Sequence, residues 1–184
     1  MALRHGHGDL HLRNLCAYNG EVRLFDAIEF EPKFSHIDVL YDVAFVIMDL
    51  LHRGCGFEAI MMLSRYLSGT RDYSGIDNLR LFMAVRAGVR ALVALLGEGA
   101  DRDDQAQNYL DLAMSILDRP GMQRLIAIGG RSGTGKSTLA LALAPALASA
   151  PDIVVLRADE IRKRLFSASP ESRLPQSAYQ PGVT

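Results

Sequence analysis

The stretch that most constrains this fold is RLIAIGGRSGTGKSTLA, residues 124–140. A short apolar run at 125–128 leads into Gly130-x-x-x-x-Gly135-Lys136-Ser137. A glycine-rich loop between a strand and a helix is the P-loop arrangement. Glycines let the backbone curl around phosphates, and loop amides with the helix N-terminus supply positive partial charge. Gly130, Arg131, Ser132, Gly133, Thr134, Gly135, Lys136, Ser137 and Thr138 are therefore the candidate cradle for ATP. In this pattern Lys136 reaches the β- and γ-phosphates and the Ser137 hydroxyl ligates Mg²⁺, with Thr138 supporting the first helical turn. Leu139, Leu143 and Leu147 continue the helix, which Pro145 kinks or ends. DIVVLRADEIRKRLF, residues 152–166, reads as a second strand and the start of another helix. Asp159 falls just past that strand, where open α/β sheets place their chemistry. It reads equally as a helix N-cap. Arg162, Lys163 and Arg164 read as a solvated face.

The N-terminal part carries a different signal, HGHGDLHLRN at 5–14. Its histidines suggest the H-x-H-x-D-H zinc pattern of metallo-β-lactamase-like hydrolases. Here one extra residue separates Asp9 from His11, and imidazoles ligate zinc well only when the backbone aims them at one point. Zinc is therefore not expected. The second reading is Asp9-x-x-x-x-Asn14, the spacing of a kinase catalytic loop, where the Asp takes a hydroxyl proton and the Asn holds magnesium. Asn19-Gly20 follows, the strongest short hairpin signal, between two β-prone arms. A two-residue turn there pairs Tyr18 with Glu21, Ala17 with Val22, Cys16 with Arg23 and Leu15 with Leu24. Asn14 then faces Phe25, beside Asp26. An amide oxygen and a carboxylate side by side suit Mg²⁺.

With those residues in place, HGDLHLRN, LFDAIEF and HIDVLYDVAFVIMDL (7–14, 24–30 and 36–50) resemble the C-terminal lobe of aminoglycoside phosphotransferase-like kinases. The likeness is greatest to a bacterial group in which that lobe precedes a P-loop kinase domain. The resemblance implies Asp9 as catalytic base and Asn14 and Asp26 as magnesium ligands. It also implies that Asp42 hydrogen-bonds the catalytic-loop backbone, and that His11 braces the loop in preference to contacting phosphate. His7 is expected to pack the loop, His5 to be solvated, and Glu29 to be a surface carboxylate. Segment 152–166 is similar to P-loop small-molecule and polynucleotide kinases, which implies Asp159 as an acceptor-hydroxyl base and Arg162 as an acceptor contact.

Between these signals the chain reads as helices. Residues 37–51 carry Val39, Val43, Ile47 and Leu50 near one stripe, and 57–68 follow a Gly54/Gly56 break. At 78–97, Leu79, Phe82, Met83, Val89, Leu92, Val93 and Leu96 share a face with Arg86. An arginine there calls for a structural ion pair. Residues 105–119 close the bundle, with Met61, Met62, Met83 and Met114 as core filler, and Pro120-Gly121 marks the boundary. The expected fold is mixed α/β and mostly helical. A hairpin with a helical kinase-like C-lobe occupies 1–119, and a partial P-loop strand–loop–helix–strand unit occupies 120–184.

Composition narrows the functional classes. A net charge of −1 supplies no global field for nucleic acid or an anionic membrane. The apolar run at 139–150 is too short to span a bilayer, there is no signal-peptide pattern, and two distant cysteines make no disulfide framework. A cytoplasmic protein is expected. The chain departs from both families: no kinase N-lobe, β3 lysine or lid arginines are present, and Leu92 stands where the family carries a lysine. The expectation is an internal fragment of a two-module phosphotransferase. It would use ATP and Mg²⁺ on an unidentified small hydroxyl acceptor, and this piece alone would bind nucleotide weakly through Lys136 without turnover. The alternative is a nucleotide-binding regulatory ATPase module with a pseudo-kinase lobe.

Overall fold

The computed structural model describes residues 3–118, 124–131, 133–169 and 172–179. The chain is mostly helical, with two small antiparallel sheets among the described residues. Strand β1 (Leu3–His5) pairs with β4 (His36–Asp38), and β2 (Leu15–Tyr18) pairs with β3 (Glu21–Leu24). The second pair has the register that a two-residue turn at Asn19-Gly20 dictates, with Leu15 opposite Leu24 and Tyr18 opposite Glu21. Asn19 and Gly20 have φ of 52° and 78°, as the favoured hairpin turn requires at both central positions.

Helix α1 (Pro32–Ser35) leads into β4, and four long helices follow: α2 (Val39–His52), α3 (Gly56–Thr70), α4 (Leu79–Leu96) and α5 (Arg102–Leu117). The Asp38 side chain caps α2 by accepting from the Leu40 amide at 3.0 Å. Leu40, Val43, Ala44, Phe45, Val46, Ile47 and Met48 are all buried, which makes α2 the central rod. Ile60, Leu63 and Leu67 of α3, Leu79 and Met83 of α4, and Ile116 of α5 complete the core.

The buried face of α4 differs from the one expected. Ala84, Arg86, Ala87 and Ala91 are buried with Leu79 and Met83, whereas Val89, Leu92, Val93 and Leu96 are exposed. Small side chains let the neighbouring helices approach closely, so the larger aliphatics of the second half turn outward. Met83 fills the core as expected, but Met114 is exposed.

Beyond α5 the chain forms α6 (Lys136–Leu147) and α7 (Ala158–Leu165). Pro145 sits inside the last turn of α6, and the helix ends two residues later. The two strands expected at 125–128 and 152–156 do not form; no β-pairing involves either segment among the described residues. Parallel pairing is slightly weaker per residue, and parallel sheets occur almost only where both faces are covered. Here Leu125 is 96% exposed, while the backbone amide of Val155 donates to Ser64 Oγ of α3 at 3.0 Å. The second segment thus docks on a helix, not on a strand. Ala144, Ala150, Ile153, Val154 and Val155 join the core of the helical lobe, so the hydrophobic cluster is continuous across both parts. The boundary expected at Pro120-Gly121 lies outside the described residues.

The rotated face of α4 has a measurable consequence. Ala87→Leu should overpack the core and cost about 1–3 kcal/mol. Leu92→Ala, at an exposed position, should change stability by less than about 0.5 kcal/mol. Urea unfolding of both variants checks this; a larger loss at Leu92 would restore the face read from the sequence.

Candidate functional site

The loop at 6–14 is held from below by two carboxylates of α2. Asp42 and Asp49 are seven residues apart, two turns of helix, and therefore on one face. Asp42 Oδ2 accepts from the His7 amide at 2.7 Å, and Asp42 Oδ1 accepts from the Gly8 amide at 3.0 Å. Asp49 Oδ2 accepts from the Leu12 amide at 3.0 Å. The glycines make the approach possible. A Cβ on Gly6 would lie 2.6 Å from Asp42 Oδ2. Gly8 has φ +83°, and a Cβ there would lie 2.9 Å from the Phe34 carbonyl oxygen.

Both carboxylates are nearly inaccessible to solvent, and each has a cationic partner. Arg86 of α4 donates to Asp42 Oδ1 at 3.4 Å and, through Nε, to the Tyr41 carbonyl at 3.3 Å. Its guanidinium lies 3.8 Å from the Tyr41 ring centroid and 4.5 Å from that of Phe45. Arg53 pairs with Asp49 at 3.3 Å. Burial pushes the Asp42 carboxyl above its ordinary pKa of 3.8, while the His7 amide, Arg86 and the Gly8 amide pull it back. The ion pair expected for Arg86 and the loop bond expected for Asp42 are one structure.

Above this anchor, Asp9, His11 and Asn14 come together. Asn14 Nδ2 donates to the Asp9 carbonyl at 2.9 Å and to Asp9 Oδ2 at 3.4 Å, which leaves Asn14 Oδ1 as its free acceptor. His11 is buried against Phe45 and its Nδ1 accepts from the Arg13 amide at 3.2 Å. The ring proton is then on Nε2, which lies 3.5 Å from Asp9 Oδ2. Burial lowers the His11 pKa below 6.5; Asp9 opposes this. His11 therefore braces Asp9 in its neutral form. His7 Nε2 donates to the Phe25 carbonyl at 2.9 Å, and exposed His5 meets His36 edge to face. The three histidines thus serve three separate partners.

The Phe25 amide donates to the Asn14 carbonyl at 3.2 Å, and the Ile28 amide donates to the His7 carbonyl at 2.9 Å. Asp26 sits between these clamps with φ 60°. Its side chain is exposed and makes no hydrogen bond or ion pair among the described residues. The backbone thus holds Asp26 next to the residue paired with Asn14, but no direct contact joins the two side chains. Glu29 is exposed, as expected.

In the glycine loop, Gly130, Gly133 and Gly135 all have positive φ, at 154°, 80° and 81°. The Lys136 ammonium folds back to donate to the Arg131 carbonyl, and Thr134 Oγ1 donates to the same oxygen at 2.8 Å. The Gly135 carbonyl accepts from the Leu139 amide at 2.9 Å and starts α6, whose first turn carries Ser137 and exposed Thr138. Ser132 lies outside the described residues. Asp159 is not the N-cap of α7; Arg157 holds that position, and Asp159 pairs with Lys163 at 2.9 Å.

The residue after it, Glu160, has no role assigned from the sequence. It is 7% exposed and accepts from Ser68 Oγ at 2.7 Å, Arg157 at 2.8 Å and Arg65 at 3.3 Å. Burial alone would raise its pKa, but Ser68, Arg157 and Arg65 hold it below the ordinary value. Asp49 lies within the stretch 36–50 but has no role assigned from the sequence. Its signal is there in the sequence: a second acid one heptad after Asp42 in an otherwise apolar helix must be buried, and a buried carboxylate needs donors.

No family model and no solved structure matches the chain. Uncharacterized proteins of Mycobacterium bovis and of two Mycobacterium tuberculosis strains are each 31% identical to it over 163 residues, covering 87% of this chain and 32% of the relative. The chain spans about a third of the length of these curated relatives. No helix among the described residues is long and apolar enough to cross a membrane.

The neutral histidine has a pH signature. His11 and His52 both have pKa values lowered from 6.5 by burial. Below pH 6.5 the unfolded chain takes up these protons before the folded one, so stability is lost as pH falls from 6.5 toward the folded values. The unfolding free energy should therefore drop between about pH 7.5 and about pH 5.5. The drop should be smaller in His11→Gln/His52→Gln. Equal pH slopes for the two proteins, from urea melts, would contradict the neutral assignment.

Proposed function

We propose that this chain carries parts of two phosphotransferase modules, an aminoglycoside phosphotransferase-like C-lobe at 1–119 and the start of a P-loop kinase domain at 120–184. The observation that supports it most is the loop holding Asp9, His11 and Asn14 on two buried carboxylates. Such a loop keeps one carboxylate half-exposed while its neighbours are locked, which is what a general base needs. Asp9 takes the proton from an acceptor hydroxyl as that oxygen attacks the γ-phosphorus of ATP. The bond from the γ-phosphorus to the bridging oxygen breaks, and ADP leaves. Asn14 Oδ1 and the Asp26 carboxylate are the proposed Mg²⁺ ligands. They are oxygen donors of the type hard cations prefer. In the second module, the backbone from Gly130 to Thr138 and the Lys136 ammonium receive the phosphates, with Ser137 on Mg²⁺. Asp159 is the proposed acceptor base there, and its pairing with Lys163 must open for it to act. The acceptor class is a small hydroxyl compound, and the site of action is the cytoplasm.

The regulatory reading keeps one observation in its favour. Glu160 and Ser64 tie the P-loop unit to α3 of the helical lobe, which is a route for nucleotide binding to bias that lobe.

Label transfer from γ-labelled ATP to a panel of hydroxyl-bearing small molecules separates the two readings. In a longer polypeptide carrying this segment, Asp9→Asn should lower transfer about 10³-fold while ATP binding changes little. The 184-residue chain alone should bind Mg·ATP without turnover. Transfer that is indifferent to Asp9 would refute the base assignment, and ATP binding without any transfer would favour the regulatory module.

A further inference from the structure

The P-loop unit does not end at its own residues. A small recess beside the first turn of α6 is lined by Ser137 and Leu141 on one side, by Arg157 and Glu160 of the α7 start on another, and by Ser64 and Arg65 of α3 on the third. Ser137 is where the glycine-loop pattern puts the Mg²⁺-ligating hydroxyl. Arg65 belongs to the helical lobe, far earlier in the chain.

The charges around this recess are unequal. Arg65, Arg157 and Arg164 all lie within ion-pair distance of the single carboxylate Glu160. Three guanidinium groups against one carboxylate leave the cluster with excess positive charge. Arg164 also donates to Ser68 Oγ. Arg65 and Arg157 each direct one N–H to Glu160. A guanidinium carries five N–H donors in a fixed fork, which suits phosphate oxygens. Arg65 is 64% exposed at its side chain, so its remaining donors are accessible. Glu160, almost fully buried, fixes one edge of each guanidinium and leaves the others open.

We propose that Arg65 of the helical lobe is a phosphate-binding residue of the P-loop site, so that the nucleotide site is composite and incomplete without α3. Its ligand is the terminal phosphate of a magnesium-bound nucleoside triphosphate. Arg65 and Ser137 line the same recess. This rests on the nucleotide reading of the glycine loop. It adds a guanidinium from another part of the chain to those of Arg157 and Arg164. It also makes α3 the element through which a bound triphosphate pulls on the helical lobe.

The test is calorimetric titration of Mg·ATP and Mg·ADP into the 184-residue chain and into Arg65→Ala, Arg65→Lys and Lys136→Ala. Removing one charge-assisted hydrogen bond to the terminal phosphate corresponds to about a tenfold loss in affinity. Arg65→Ala should therefore bind Mg·ATP about tenfold more weakly and Mg·ADP within about twofold of the parent, with Arg65→Lys in between. Thermal melts of Arg65→Ala should stay close to the parent, because Ser68 and Arg157 continue to satisfy Glu160. Unchanged ATP affinity in Arg65→Ala overturns the proposal. So does an equal loss for ATP and ADP, which would report a structural role. Binding that ignores Lys136→Ala, or no binding by the parent, removes the nucleotide reading itself and the composite site with it.

Discussion

The structure of the N-terminal part depends on burying two carboxylates in the middle of an apolar helix. Asp42 and Asp49 interrupt the run of core residues on α2, and neither can remain charged there without donors. The loop at 6–14 supplies them as three backbone amides, at His7, Gly8 and Leu12. Arg86 and Arg53 supply the countercharges. The exchange works both ways. A loop that would otherwise expose unpaired amides is fixed at two points, and the helix keeps its central position. The glycines at 6 and 8 follow from the same constraint, because a side chain at either would collide with Asp42 or with the Phe34 carbonyl.

Much of this is legible in the sequence. Asn19-Gly20 dictates both the hairpin and its register, since a two-residue turn leaves no freedom in the pairing. The helical periods locate α2 to α5 to within a few residues. Arg86 announces an ion pair because a guanidinium on an apolar face cannot stay unpaired. Asp49 and Glu160 escape because the resemblance gives a role to neither, although both lie within the stretches that carry it. The face of α4 is hidden for a different reason. Weighting by side-chain size favours Leu92 and Leu96, whereas α4 buries Ala84, Ala87 and Ala91 beside Leu79, Met83 and Arg86.

Residues 124–166 show the limit of local pattern. Gly130, Gly133 and Gly135 adopt positive φ values, and α6 begins at Lys136. The flanking apolar segments do not pair as strands among the described residues. A strand is defined by its neighbour, and periodicity within 125–128 or 152–156 says nothing of whether one is present. Segment 153–155 instead finds apolar cover and a hydrogen-bond acceptor on α3. The result is a segment bonded to the helical lobe through Ser64, Ser68 and Glu160, polar residues to which the sequence pattern assigns no role.

The carboxylates of α2 hold the Asp9 loop, and amide hydrogen exchange tests that anchoring. In the parent, the His7, Gly8 and Leu12 amides should be protected although their partners are side chains and not a strand or helix ladder. In Asp49→Ala, the Leu12 amide should exchange at least about tenfold faster, the effect of removing one charge-assisted bond. The amides of α2 and those of His7 and Gly8 should stay protected. Exchange of Leu12 at the unprotected rate in the parent, or unchanged protection in Asp49→Ala, would contradict the account.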